Sequence, residues 1–125
     1  MRKLHDHEIN TFNAEHVGVL VMDDPDPNAG GACHSYGIEV IDKGGRIYDV
    51  HLKFQHGPVK ETGVNGITDQ ALIAIVLDRY RAFQLSKWAN RETALSITHL
   101  EEALMWQHKR TLDRERRDVE GTNKL

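Results

Sequence analysis

The chain has 125 residues, with 16 Lys and Arg against 19 Asp and Glu, a formal net charge of −3, 39% apolar residues and one cysteine. That length fits a single domain with a real core, and the composition excludes a disordered chain, a disulfide framework and a multi-cysteine zinc site. His5-Asp6-His7-Glu8 stands where a secretory signal would be apolar, and the longest apolar run, Ala71 to Leu77, is far short of the ~18 residues that span a bilayer. A soluble cytoplasmic domain is expected, without a membrane partner.

The net charge averages two unlike halves. Residues 1–77 hold 6 basic and 11 acidic side chains, whereas residues 78–117 hold 9 basic and 6 acidic. Such separation leaves room for a small anionic ligand. An acidic chain without a long basic run is a poor match for a DNA or RNA polymer.

The first half reads as strand and turn. Val17-Gly18-Val19-Leu20-Val21 is a β-branched run that ends at the turn-rich Asp23-Asp24-Pro25-Asp26-Pro27-Asn28. Gly30-Gly31 and the strand Tyr36 to Ile41 follow, and Asp42-Lys43-Gly44-Gly45 predicts a hairpin connection. In the partner strand Tyr48, Val50, Leu52 and Phe54 alternate with Asp49, His51 and Lys53, the pattern of an antiparallel sheet with one wet face. Gln55 to Gly66 reads as a glycine-punctuated loop, and the His5–His7 terminus is expected to be disordered.

From Thr68 the period changes. Thr68-Asp69 suits a helix start, and Leu72, Val76, Tyr80 and Phe83 carry the apolar spacing through about four turns. Leu85 to Ala89 breaks the pattern and Asn90 caps a second helix. There Ile97, Leu100 and Leu104 form a core stripe, widened by Ala94, Met105 and Leu112, and the helix is predicted to run to about Val119 with Gly121 ending it. The expected class is α+β in one domain over residues 1–125. An N-terminal antiparallel β-sheet, about 14–62, precedes a C-terminal hairpin of two long α-helices, about 67–119.

Trp106, Arg110, Arg114 and Arg117 share one face of the second helix. Guanidinium forks suit phosphate, and an aromatic beside them can stack on a base. The opposing reading is a solvated face, since Asp113–Arg117, Arg114–Asp118 and Arg116–Glu120 are i,i+4 ion pairs, and spacing alone favours it. Asp24 to Ser35 opens like a calcium loop but has Ala29 and Ser35 at two defining positions, which points to a solvated acidic turn. The eight histidines form no H-E-x-x-H pair, and Cys33-His34 brings no second pair, so no metal site is expected. Cys33 is weak as a nucleophile, and the Gly30-Gly31, Gly57-Pro58 and Gly63-x-Asn65-Gly66 loops read as tight turns rather than phosphate cradles. No catalytic residue emerges.

Three blocks carry a resemblance. They are Gly30-Gly31-Ala32-x-His34-x-Tyr36; Phe54-Gln55-His56-Gly57-Pro58-Val59-Lys60-Glu61 through Gly66-Ile67; and Arg91-Glu92-Thr93-Ala94-Leu95 through Leu100-Glu101-Glu102-Ala103-Leu104, then Lys109-Arg110-Thr111-x-Asp113-Arg114, ending Val119-Glu120-Gly121-Thr122. Together they resemble the phage Thoeris anti-defence sponge family, whose helical hairpin is shared with anti-CBASS cyclic-nucleotide sponges. The resemblance implies a non-enzymatic, cofactor-free protein in the host cytoplasm that sequesters an immune nucleotide, glycocyclic ADP-ribose. It also implies homo-oligomers, dimers assembled into hexamers, with ligand pockets between protomers. The implied ligand contacts are Phe83 for adenine, Thr93, and Arg110 and Arg114 for the pyrophosphate. Thr93 stands where the family pattern has Asn and lacks the second amide donor. The alternatives are a sponge for cyclic di- or trinucleotides and an enzyme that cleaves the same signal.

Overall fold

The alternating run ending at Phe54 forms one strand of an antiparallel meander, with Val50, Leu52 and Phe54 half-buried and Asp49, His51 and Lys53 in water. Tyr48, expected on the sheltered face, is 53% exposed near the strand's start. The computed structural model describes residues 1–125, apart from the side chains at positions 12–14 and 46. Its elements are β1 (Arg2–Leu4), α1 (Thr11–His16), β2 (Val17–Val21), β3 (Ser35–Asp42), β4 (Gly45–Lys53), α2 (Val59–Thr62), α3 (Asp69–Gln84) and α4 (Arg91–Arg116). The chain divides into two compact units, Met1–Ile67 and Thr68–Leu125. The class is α+β, as the sequence suggests.

In the first unit the strands lie in the order β1-β2-β3-β4, all antiparallel. Val21 faces Tyr36, and Tyr36 faces Leu52, so the β-branched run and the alternating strand share one register. Val21 and Cys33 are buried, and the Tyr36 ring meets Phe54 edge-on at 5.6 Å. Beyond β4 the chain turns back, with Gln55 N–H on the Ile67 carbonyl at 2.9 Å and Ile67 N–H on the Lys53 carbonyl at 2.8 Å. Gly66 lies against this crossing, where a Cβ would stand 2.4 Å from the Phe54 carbonyl carbon.

Three departures from the sequence expectations belong to this unit. The N-terminus is a strand, with Arg2 opposite Val21, and the His7 Nε2 bonds the Val17 carbonyl at 2.7 Å. A three-residue edge strand is too short to show a period. The short helix α1 is likewise unforeseen, and α2 occupies part of the expected glycine loop.

The second unit is the helical hairpin. Thr68 caps α3 by accepting the Ala71 N–H at 3.2 Å, and Asn90 caps α4 by accepting the Thr93 N–H at 2.7 Å. Gln84 closes the link between the helices. It accepts the Asn90 N–H and donates to the Asn90 carbonyl, each at 3.0 Å. Arg81 and Glu101 bridge the two helices at 2.9 Å.

The apolar stripe of α3 is rotated from its expected place. Leu72 and Tyr80 are half-buried as expected, but Ile73 and the fully buried Leu77 join them, whereas Val76 and Phe83 are exposed. Ile97, Leu100 and Leu104 are half-buried as expected, but Ala94, Met105 and Leu112 face out. Helix α4 also stops early, at Arg116. Asp118 adopts a left-handed φ of 58°, and the Val119 N–H turns back onto the Arg114 carbonyl at 3.0 Å.

Candidate functional site

Among the described residues the cations of the basic half divide into paired ones and a few, Arg91 and Arg110 among them, with no hydrogen bond or ion pair. Lys109 bonds Asp113 at 2.8 Å, and Arg116 reaches the other Asp113 oxygen at 3.5 Å. The Lys109 ammonium holds the Asp113 carboxyl below the usual carboxylate range. None of the i,i+4 pairs expected for Arg114, Arg116 and Arg117 is the one formed. Asp113 instead serves Lys109 and Arg116, and Arg114 faces Glu120.

Arg114 is only 8% exposed and its two terminal nitrogens are taken up by its own chain, while its buried Nε lies 3.6 Å from the Glu120 carboxylate without a hydrogen bond. Its Nη1 donates to the Lys124 carbonyl at 2.9 Å, and its Nη2 donates to Val119 at 3.0 Å and Thr122 at 3.2 Å. Arg117, read from sequence as a surface ion-pair group, donates to the Leu125 carbonyl at 2.8 Å. The planar fork gathers several carbonyls at once and so folds the segment after α4 back on the helix.

Arg110 differs. It is exposed and has no hydrogen bond or ion pair among the described residues. It lines a hollow of about 410 Å³ together with Trp106, Arg114 and Arg117. Trp106, one helical turn earlier, is 55% exposed. A larger hollow of about 700 Å³ lies beside Arg81, Glu101, Lys109 and Arg116, but all of these charges are already matched. Of the lysines and arginines that line these two hollows, Arg110 is therefore the one that keeps its donors unmet for an anion.

The other two expected contacts lie at the opposite end of the hairpin. Phe83, 43% exposed, sits in the last turn of α3 with the Arg79 guanidinium 5.8 Å from its ring centre. Thr93 is half-buried in the first turn of α4, and the Gln84–Asn90 tie keeps those two ends together. Thr93 and Arg110 are seventeen residues apart on one continuous helix, about 25 Å along its axis. The four residues thus form two pairs, Phe83 with Thr93 and Arg110 with Arg114.

A second polar cluster occupies the loops of the sheet unit. His56 Nε2 bonds Asp26 Oδ2 at 2.7 Å, and the His34 ring lies 4.3 Å from the His56 ring with its Nε2 3.1 Å from the Ala29 carbonyl. Both acceptors lack a proton, which places the hydrogen on Nε2 in each ring. Asp26 is held below its ordinary range chiefly by His56, and Asp23 by the N–H groups of His34 and Ser35. The turn expected to be merely solvated is therefore a fastening between loops. No group of three or more His, Cys, Asp and Glu suited to a metal occurs among the described residues, and no helix there is long and apolar enough to cross a membrane.

Residues 49–112, just over half of the chain, match the family described as Acb2/Tad1, hairpin domain. The chain belongs to the Acb2/Tad1 hairpin family. The family match runs from β4 through most of α4 and takes in Phe83, Thr93 and Arg110; Arg114 lies two residues beyond it. A relative, Thoeris anti-defense 1 of Bacillus phage SBSphiJ7, is 44% identical over 117 residues, which cover 90% of this chain and 81% of the relative. Membership in the Acb2/Tad1 hairpin family agrees with the resemblance carried by the three sequence blocks. Sequence reasoning missed the carbonyl cage around Arg114 and the Asp26–His56 tie. Each joins a side chain to a partner whose position depends on how a loop turns, and no spacing rule marks it.

Proposed function

We propose that the protein is an anti-defence sponge, which binds glycocyclic ADP-ribose, does not cleave it, and keeps it from the Thoeris effector in the host cytoplasm. The observation that carries this reading is the 44% identity to Thoeris anti-defense 1, which extends across nearly all of both units. The unmatched guanidinium of Arg110 beside an exposed indole supports it, because an adenine nucleotide offers both an anion and a π-face.

The spacing along α4 adds a requirement. One small nucleotide cannot touch Thr93 and Arg110 of the same hairpin across about 25 Å. We infer that the tip of one hairpin, with Phe83 and Thr93, meets the Arg110 end of another. A two-fold pairing would generate two such sites at once. The exposed Ile75, Val76, Leu95, Met105 and Leu112 support association, since a hairpin with few buried side chains gains by covering them.

The test is mass spectrometry of nucleotide released by heat from the purified protein after incubation with glycocyclic ADP-ribose. Intact signal is expected, and recovery of cleaved product alone would replace the sponge with an enzyme. A second reading, a sponge for cyclic di- or trinucleotides, is favoured by the joint Acb2/Tad1 description of the hairpin. A thermal-shift panel separates the two, because ligand at 100 times Kd adds about 2.7 kcal/mol of stability.

A further inference from the structure

We propose that Trp106 is the base-stacking residue of the Arg110 hollow and sets its preference for nucleotides over simple phosphates. The inference rests on the reading of the hairpin as a nucleotide-binding element and adds a residue to it. Trp106 and Arg110 stand at i and i+4 on α4 and line the same cavity of about 410 Å³. Just over one helical turn separates them, about 6 Å along the axis, comparable to the step from a base across its ribose to the first phosphate.

Three observations single out this ring. The indole is 55% exposed and lines an open, shallow hollow shared with Arg110. Its neighbour Arg110 has no partner among the described residues, so an anion held there brings its attached base within reach of the indole. The other aromatic expected at the site, Phe83, lies at the far end of the hairpin and already faces the Arg79 guanidinium. A copy that supplies Arg110 therefore has Trp106 as its own π-surface. Stacking is tolerant of base identity, so Trp106 would discriminate nucleotide from pyrophosphate rather than one base from another.

The chain has two tryptophans, and Trp88→Phe leaves Trp106 as the sole indole emitter. In that variant, glycocyclic ADP-ribose should shift or quench the emission and saturate at the Kd found by calorimetry. Inorganic pyrophosphate should leave the emission unchanged. Trp106→Leu, which keeps apolar bulk without a π-face, should raise Kd about 5- to 100-fold, whereas Trp106→Phe should stay within about threefold of the parent. Binding by the Trp88→Phe variant with no change in emission would overturn the proposal and leave the sponge reading standing. Equal affinity of the Leu and Phe variants would do the same. Failure of the parent chain to bind glycocyclic ADP-ribose at all would overturn both.

Discussion

His56 and Asp26, thirty residues apart in sequence, are joined by a 2.7 Å hydrogen bond that ties the loop before β3 to the loop after β4. The contact is half-exposed, and with Asp23 and Glu8 it bears on how this unit meets acid. Asp26 has a folded pKa below its ordinary value, chiefly through His56, so it stabilises the fold above the unfolded carboxylate range. That contribution disappears as pH falls through the folded pKa. Asp26→Asn should therefore lower the urea midpoint at pH 7, and the gap between variant and parent should close as pH falls below about 4. A gap that stays constant down to pH 3 would show that the ionised carboxylate is not what matters.

Arg110 and Arg114 sit on one face of α4 but should respond differently to truncation. Arg114→Ala uncages three backbone carbonyls and should cost about 1.5–3 kcal/mol, read from urea unfolding. Arg114→Lys should recover little, because one ammonium cannot serve acceptors held by a planar fork. Arg110→Ala should leave stability within about 0.5 kcal/mol while raising the Kd for glycocyclic ADP-ribose ten- to a hundredfold. Equal stability losses in the two alanine variants would contradict this division.

Gly66 is required by space rather than by backbone angle. An added Cβ would stand 2.4 Å from the Phe54 carbonyl carbon, 2.5 Å from its oxygen and 2.6 Å from the Gln55 nitrogen, all backbone atoms that cannot swing away. Gly66→Ala should cost more than about 2 kcal/mol and weaken the Gln55–Ile67 pairing, visible as faster amide exchange at Gln55 and Ile67.

A site shared between copies can be tested by mixing. Phe83→Ala and Arg110→Ala should each bind weakly alone. Co-assembled from denatured chains, the mixture should regain high-affinity sites, because a mixed pair carries one site with both residues intact. Calorimetry that finds no recovered sites in a verified mixed assembly would place all contacts within one hairpin.

Periodicity made the sheet and the hairpin legible, since burial imposes repeats of two and about 3.6 on the sequence. The caps at Thr68 and Asn90 were equally readable, because a side-chain acceptor three residues before a free N–H is a local device. The end of α4 was not. Gly121 looked like the stop, whereas Arg114 draws the chain back earlier and Asp118 turns left-handed. The same long-range pull hid the state of the arginines. Sequence placed Arg110 and Arg114 together, and only the folded segment around Arg114 separates an occupied cation from an open one.

Under the proposed sharing of Thr93 and Arg110 between copies, α4 is a ruler as well as a scaffold. Each residue advances the helix about 1.5 Å and rotates it about 100°. A substitution between those positions changes one side chain, but a single-residue insertion moves both reading ends by more than a quarter turn relative to each other. Among viable descendants of this gene, the stretch from 93 to 110 should hold its length even where its outward-facing positions, Trp106 aside, change in composition.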